Sequence, residues 1–161
     1  MTSIGIDSDE PIAPLAASAK TNLAKWLAMI AKSDLRELPS IIAHEAVYHP
    51  PVEWHPYPGH DLVCLLVRSA AGIFEDFKYL RVFTGGDAAV LEFSAHIGDI
   101  ELKGVHILRF SDAGEIIDID LIARPAKGVM ALGNAIGAKA GPQIKALRTQ
   151  TKPQESQTAR A

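Results

Sequence analysis

The stretch Ala46-Val47-Tyr48-His49-Pro50-Pro51 decides the fold, because it predicts a short strand that ends in an ionisable side chain. It follows two segments with helical spacing, and a third begins near His60 or Asp61 after a loop containing four prolines. From Phe77 onward the apolar period changes from 3.6 to two. This order predicts an α+β fold, with three N-terminal helices packed against a mostly antiparallel sheet.

Apolar residues at helical spacing predict the first helix, from Leu15 to about Lys32. Asp34 with Glu37 forms a capping pattern that predicts a short second helix through Ile42. The third helix is expected to run to about Ile73. A closing helix over 126–136 is plausible, although Gly128 and Gly133 weaken it.

Four strands are predicted after the third helix: Phe77–Thr84, Ala88–Ile97, Ile100–Ser111 and Glu115–Ala123. We therefore expect a flexible lead-in over residues 1–14, a single domain over 15–136, and a polar, disordered tail over 137–161.

Composition and charge exclude several functional classes. The chain has 161 residues with 48% hydrophobic residues, which suits one globular domain. Its net charge of -3 gives no basic footprint for nucleic acid. One cysteine, Cys64, excludes an internal disulfide, and an inert buried thiol is its favoured interpretation. No apolar run predicts a membrane span, so a soluble, cytoplasmic protein is expected.

The two-residue turn Gly98-Asp99 predicts which side chains share a face of the sheet. If Ile97 pairs with Ile100, Leu91 lies opposite His106, and directly paired residues project to one face. The predicted inner face carries residues that are almost all apolar: Leu91, Phe93, Ala95, Ile97, Leu102, His106, Leu108 and Phe110. His106 is its one polar member, and a buried imidazole needs a protein partner, a water or a ligand. A core histidine satisfied by a neighbouring backbone group is the competing interpretation.

Other polar residues are predicted to lie outside the pocket. Glu92 falls on the opposite, outer face, as do His96 and Glu101, which oppose each other as a solvated or interface pair. The loop 52–58 holds Trp54 and Tyr57. It is expected either to cap the pocket, with both aromatics touching a ligand, or to be a rigid proline-braced surface loop.

Three segments resemble ketosteroid isomerases of the SnoaL-like branch of the nuclear-transport-factor-two-like superfamily. They are Trp26–Leu35, Val47–Pro50 and Gly104–Phe110, and Ile119–Pro125 resembles the last strand of SnoaL-like proteins. The resemblance implies the cone-shaped fold, in which three N-terminal helices pack on a curved, mostly antiparallel sheet around a closed apolar pocket. It also implies a homodimer formed through the outer face of the sheet.

The positions that carry catalysis in the isomerases hold other residues here. The resemblance places His49 at the base, His106 at the acidic donor and Trp26 at the oxyanion-hole tyrosine. An indole N–H donates a hydrogen bond but does not act as an acid, so steroid isomerisation by the family mechanism is not expected. Some dehydratases of this fold use a histidine oriented by an aspartate on the first helix, and that aspartate is missing here.

Two hypotheses about function follow. In the first, the chain is a cofactor-independent isomerase, cyclase or dehydratase for a small hydrophobic carbonyl compound, with His49 as base and His106 with Trp26 donating to the enolate oxygen. In the second, the pocket only binds an apolar small molecule, or the domain mediates protein interactions. The ligand-binding set is expected to be Trp26, Trp54, Tyr57, Leu91, Phe93, Leu108 and Phe110. No metal is expected, and both imidazoles should open on one cavity within about 10 Å of each other.

Overall fold

The computed structural model describes residues 11–150 and confirms the α+β class. Its helices are α1 (Ala17–Lys32), a 3-10 helix (Leu38–Ser40), α2 (His60–Ala71) and α3 (Ala126–Gln150). Its strands are β1 (Ile42–His49), β2 (Tyr57–Pro58), β3 (Glu75–Gly85), β4 (Ala88–Ile97), β5 (Ile100–Phe110) and β6 (Ile116–Arg124). No helix among these residues is long and apolar enough to cross a membrane.

The strands form one curved sheet in the order β2-β1-β6-β5-β4-β3. Neighbouring strands are antiparallel except β1 and β6, which run parallel. The predicted hairpin register is confirmed, since Ile97 pairs with Ile100 and Leu91 pairs with His106. The inner face of the sheet packs against α1 and α2 in one continuous core.

The second predicted helix is wrong in its extent. Only a three-residue 3-10 turn forms, and Ile42 already belongs to β1. Pro39 lies at the start of this turn, where its missing N–H costs nothing, but the branched residues Ile41 and Ile42 favour the strand that follows. The predicted capping carboxylate of Asp34 instead pairs with Arg36.

The predicted end of the domain at residue 136 is also wrong, because α3 continues unbroken to Gln150. Gly128 and Gly133 have low helix propensity, yet each allows another residue to approach the helix closely. An added Cβ would lie 2.7 Å from Leu102 at the first and 2.7 Å from Val52 at the second. The predicted disordered tail is therefore helical over 137–150. The lead-in over residues 1–10 and the tail beyond 150 lie outside the described residues.

Candidate functional site

A cavity of about 1080 Å³ opens between α1, α2 and the inner face of the sheet. Its volume lies slightly above the range of roughly 300–1,000 Å³ that small-molecule sites usually occupy. Apolar and aromatic side chains supply most of its wall: Trp26, Leu27, Ile30, Tyr48, Val67, Phe74, Phe77, Tyr79 and His106. The exposed or partly exposed charged residues that line it mark its mouth: Asp34, Arg36, Arg68, Asp76 and Lys78. The lining is that of a site for a largely apolar molecule.

A chain of three hydrogen-bonded side chains crosses the wall of the cavity. The indole Nε1 of Trp26 on α1 donates to the hydroxyl of Tyr79 on β3 over 2.9 Å. The Tyr79 hydroxyl lies 3.0 Å from Nδ1 of His106 on β5. Because an indole can only donate, Tyr79 accepts from Trp26 and donates its own proton to His106. This arrangement assigns the ring proton of His106 to Nε2.

His106 is held as a neutral imidazole. Its side chain is buried, stacks on Phe93 at 5.1 Å between ring centroids, and meets Trp26 edge-on at 6.0 Å. Burial away from water lowers the pKa of His106 to about 4. Its Nε2 has no hydrogen-bond partner within residues 11–150, and this atom is not fully buried. His106 therefore presents an N–H donor to the cavity at neutral pH.

Tyr48 on β1 also faces the cavity. Only 2% of this residue is exposed, and its hydroxyl bonds to no other described residue. Burial, and secondarily the negative charge of Asp120, raises the pKa of Tyr48 well above its usual value. The hydroxyl stays protonated and can donate or accept a hydrogen bond.

His49 does not lie in the cavity, so its predicted position is wrong. Its Nε2 bonds to Asp118 Oδ2 at 2.9 Å, and both side chains are partly exposed on the other face of the sheet. Successive side chains of a strand point to opposite faces, and the buried neighbour Tyr48 occupies the inner one. Because Tyr48 points inward, its neighbour His49 points outward, opposite to the expected direction of the imidazole. His49 and His106 do not share a cavity.

Of the seven expected ligand-binding residues, one lines the cavity, four lie beneath its lining and two lie away from it. Trp26 lines the cavity as expected, and its indole N–H donates to Tyr79. Four others lie on the inner face but are core residues packed beneath the lining: Leu91, Phe93, Leu108 and Phe110. Trp54 is 93% exposed and does not approach the cavity. Tyr57 is buried elsewhere, where its hydroxyl donates to Glu53 and Arg148 covers its ring at 4.5 Å.

The loop 52–58 is consequently not the lid of this cavity. Tyr57 and Pro58 pair with β1, Tyr57 also contacts Arg148 near the end of α3, and the residues of the loop are absent from the cavity lining. The interpretation of a proline-braced surface loop fits the structure better than that of a cap.

Sequence reasoning missed two cavity residues, Tyr48 and Tyr79. Strand alternation at β1 contained the signal for Tyr48, since a buried aromatic beside a polar residue marks the inward position. Tyr79 was not assignable because a register shift between Tyr79 and Arg81 breaks the simple alternation of β3. Counting back from the turn at Gly86 would place Leu80, not Tyr79, on the inner face.

The charged groups at the mouth are partly paired with each other. Arg36 forms a bidentate contact with Asp34, and this hydrogen bonding lowers the pKa of that carboxyl to about 2. Arg68 donates to the backbone oxygen of Leu35. Within residues 11–150, no group of three or more histidine, cysteine, aspartate or glutamate side chains is arranged to hold a metal ion.

Comparisons with known proteins agree with this architecture. A family model described as a SnoaL-like domain matches residues 23–119. A crystal structure of a steroid delta-isomerase from Pseudomonas aeruginosa is 38% identical, with a TM-score of 0.78, and the match covers 83% of this chain and 98% of that one. None of the curated proteins compared with the chain matches it significantly.

Two further crystal structures share the fold. One is an uncharacterised bacterial protein with a cystatin-like fold from Silicibacter pomeroyi, at 26% identity and a TM-score of 0.73, covering 80% of this chain and 92% of that one. The other is an NTF2-like protein of unknown function from Mesorhizobium loti, at 19% identity and a TM-score of 0.60, covering 67% of this chain and 92% of that one.

Proposed function

Because the chain belongs to the SnoaL-like domain family of the NTF2-like superfamily, we propose that it acts on a small hydrophobic carbonyl compound bound in the cavity. The proposed chemistry is cofactor-independent general acid/base catalysis of the isomerase, cyclase or dehydratase type. The observation that carries the proposal is the hydrogen-bonded chain Trp26–Tyr79–His106, which presents a neutral imidazole N–H to an apolar cavity. The similar steroid delta-isomerase supports this class of chemistry.

In the proposed mechanism His106 polarises the carbonyl group. A neutral imidazole donor stabilises the negative charge that develops on the oxygen during enolisation, and it does so most strongly where water is excluded. Trp26 and Tyr79 orient the ring, because Tyr79 fixes Nδ1 as the acceptor and leaves Nε2–H for the substrate. The oxyanion stabilisation expected of one such donor is on the order of 10²–10³ in turnover.

Catalysis also requires a base that removes a carbon-bound proton. With His49 outside the cavity, the carboxylates that line it are Asp34 and Asp76, both at the mouth. The ion pair with Arg36 makes Asp34 a poor base, since its pKa is held at about 2. Asp76 is the remaining carboxylate, and it lies at a backbone φ of 50° near the start of β3.

This shortage of bases favours a second candidate function, a binding protein for the same class of molecule. In that case His106 supplies a hydrogen-bond anchor and the aromatic wall supplies the affinity, with no reaction following.

Tryptophan fluorescence can test binding directly. Trp26 lies in the cavity wall while Trp54 is exposed, so the Trp54→Phe variant leaves Trp26 as the single reporter. A fused-ring ketone should change this signal in a saturable way, and the parent hydrocarbon should bind about tenfold more weakly, as expected for the loss of one hydrogen bond. No saturable change with any cyclic ketone would refute both candidate functions.

Ultraviolet absorbance then separates the enzyme from the binding protein. A β,γ-unsaturated cyclic ketone becomes a conjugated enone when it isomerises, and the wild-type chain should accelerate this change. The variant Asp76→Asn should slow it strongly if Asp76 is the base, whereas Glu53→Gln, outside the cavity, serves as the control. Binding without turnover across a panel of isomerisation, cyclisation and dehydration substrates would favour the binding protein.

We also propose that the chain forms a homodimer through the outer face of the sheet. That face carries an apolar group across four strands: Phe83, Val90, Val105, Ile107 and Ile122. Phe83 is 55% and Ile122 53% exposed, and Arg81 and Lys103 flank them by pairing with Glu92. Such a mixed surface suits isologous pairing.

Light scattering tests the dimer. The expected particle has twice the chain mass of 17.3 kDa at micromolar concentration, and Ile122→Glu should shift it to the monomer. A wild-type particle of the monomer mass would contradict the proposal.

A further inference from the structure

His96 lies near the end of β4 on the outer face of the sheet, and the proposed mechanism does not use it. Its Nδ1 is buried and has no hydrogen-bond partner within residues 11–150, although 40% of the side chain is exposed. Oδ2 of Asp76 lies 4.0 Å from this nitrogen, beyond hydrogen-bond distance. A buried ring nitrogen is therefore unpaired beside a carboxylate, which can only accept a hydrogen bond.

The backbone of β3 explains how Asp76 reaches both His96 and the cavity. Between Glu75 and Lys78 the register shifts, since β3 contains one more residue there than the facing stretch of β4. Asp76 lies within this bulge at a φ of 50°, in the left-handed region that residues other than glycine seldom adopt. Bulges change the direction of a side chain and are common next to active sites. This one places Asp76 in the cavity lining and beside His96.

Asp76 needs a contact that fixes its direction and leaves it a base. Its side chain is 81% exposed, and an exposed side chain samples several rotamers, whereas a catalytic base must be held in place. Asp34, which also lines the cavity, is fixed by the guanidinium of Arg36, and that hydrogen bonding lowers its pKa to about 2. One hydrogen bond from a neutral imidazole is weaker than such a charged contact, so it orients a carboxylate at a smaller cost in basicity.

The surroundings of His96 favour a proton on Nδ1. Nε2 is not fully buried and can accept a hydrogen bond from water. Glu101 Oε1 lies 3.6 Å from Nε2, which is too far for a hydrogen bond. Glu75, which pairs with His96 across the strands, already accepts a hydrogen bond from the backbone N–H of Gly98. A neutral ring with its proton on Nδ1 therefore gives the buried nitrogen an acceptor in Asp76.

We propose that His96 is a positioning residue for Asp76 and donates a hydrogen bond from Nδ1 to Asp76 Oδ2. The inference rests on the proposed function, since it takes Asp76 as the base. Such contacts are often long without substrate and shorten when it binds, and here a movement of about 1 Å suffices. Asp76 Oδ1 takes the carbon-bound proton, and the electron pair of the C–H bond forms the enolate at His106. Return of this proton to the γ-carbon completes the isomerisation, so no other reactant is consumed.

The absorbance assay with the β,γ-unsaturated cyclic ketone tests the proposal. His96→Ala removes the donor, His96→Asn keeps an N–H donor near the position of Nδ1, and His49→Ala is the control on the same face. His96→Ala should lower kcat about tenfold and leave KM within about twofold, because it misplaces the base without touching the substrate. His96→Asn should recover most of this loss, and His49→Ala should resemble the wild type. Circular dichroism confirms that each variant is folded.

A double variant separates positioning from a general structural effect. If His96 acts through Asp76, adding His96→Ala to Asp76→Asn should cause no further loss. Losses that multiply, or a His96→Ala variant as fast as the wild type, would overturn the inference and leave the proposed function standing. Full activity of Asp76→Asn would overturn the inference by removing Asp76 as the base. Binding of the ketone by the wild type without turnover would overturn the catalytic function and this inference together.

Discussion

The two faces of the sheet treat the same residue type in opposite ways. His106 on the inner face is buried among aromatic rings, and its ring is hydrogen-bonded to the uncharged hydroxyl of Tyr79. His49 on the outer face is partly exposed and bonds to the carboxylate of Asp118. The inner imidazole is thereby kept neutral and available to a ligand, whereas the outer one is engaged by a charge. The face of the sheet, and not the residue type, therefore determines the hydrogen-bond partners and the solvent exposure of each histidine.

Phenylalanine gives the sharpest contrast in stability between the faces. Phe93 is fully buried, while Phe83 is 55% exposed on the outer side of the edge strand β3. We expect Phe93→Ala to lower the free energy of unfolding by about 3–5 kcal/mol, through lost burial and a residual cavity. Phe83→Ala should change it by about 0.5 kcal/mol in the monomer. Urea unfolding of both variants in the monomeric Ile122→Glu background measures the two losses, and losses of equal size would show that the two faces do not differ in burial.

Stability below neutral pH reports on the burial of His106. Because the pKa of His106 is about 4 in the folded protein and about 6.5 in the unfolded chain, the unfolded state binds more protons between these values. The free energy of unfolding should therefore fall as the pH falls from 6.5 toward 4, by roughly 3 kcal/mol at most. Urea unfolding at a series of pH values between 6.5 and 4.5 measures this slope.

The other groups with strongly shifted pKa values affect stability mainly outside this pH window. Asp34 and Glu92 have pKa values lowered to about 2 by their cationic partners, so their contributions are lost only below about pH 4.5. The pKa of His60 is raised, chiefly by its bond to the backbone oxygen of Pro39, so its stabilisation is lost as the pH rises through that value. The variant His106→Gln should flatten the slope between 6.5 and 4.5. An unchanged slope would contradict the burial of a neutral His106.

Turnover should separate the two histidines if the chain is an enzyme. His106→Ala removes the donor at the carbonyl oxygen and should cost about a hundredfold, or about 2.7 kcal/mol in the barrier. His49→Ala removes a side chain that does not reach the cavity and should stay within about twofold. Steady-state rates of the two folded variants decide this. A hundredfold loss for His49→Ala would reinstate it as the base.

The orienting role of Tyr79 should give a smaller effect. Tyr79→Phe keeps the ring and leaves Trp26 and His106 without their shared partner. The ring of His106 is then free to change tautomer, and we expect about a tenfold loss of affinity for a cyclic ketone. Leu80→Ala, on the same strand but absent from the cavity lining, serves as the control. Equal losses for both variants would indicate a general effect on β3.

Local pairing explains which parts of the site the sequence could predict. The turn Gly98-Asp99 fixes the β4–β5 register, so the inward direction of His106 and the outward direction of Glu92 were both predicted correctly. No such turn fixes β1, which pairs in parallel with the distant β6, and His49 was assigned by resemblance to the wrong face. Tyr79 was hidden by the irregular register of β3. Long-range pairing and bulges, rather than composition, limited the prediction.

The extent of α3 was missed for a related reason. Glycines and Pro142 favour an early end to the helix by propensity alone. Close packing of Gly128 against Leu102 and burial of Leu132 and Ala140 stabilise the helix against that propensity. Such tertiary contacts are not visible in a single segment of sequence.

A crystal structure of the protein with a bound fused-ring ketone would show whether His106 holds the carbonyl group. We expect the carbonyl oxygen within about 3.2 Å of His106 Nε2, which is hydrogen-bond distance, with the Trp26–Tyr79–His106 chain intact and His49 still bonded to Asp118. A ligand seated against His49 on the outer face, or one in the cavity with its carbonyl turned away from His106, would contradict it.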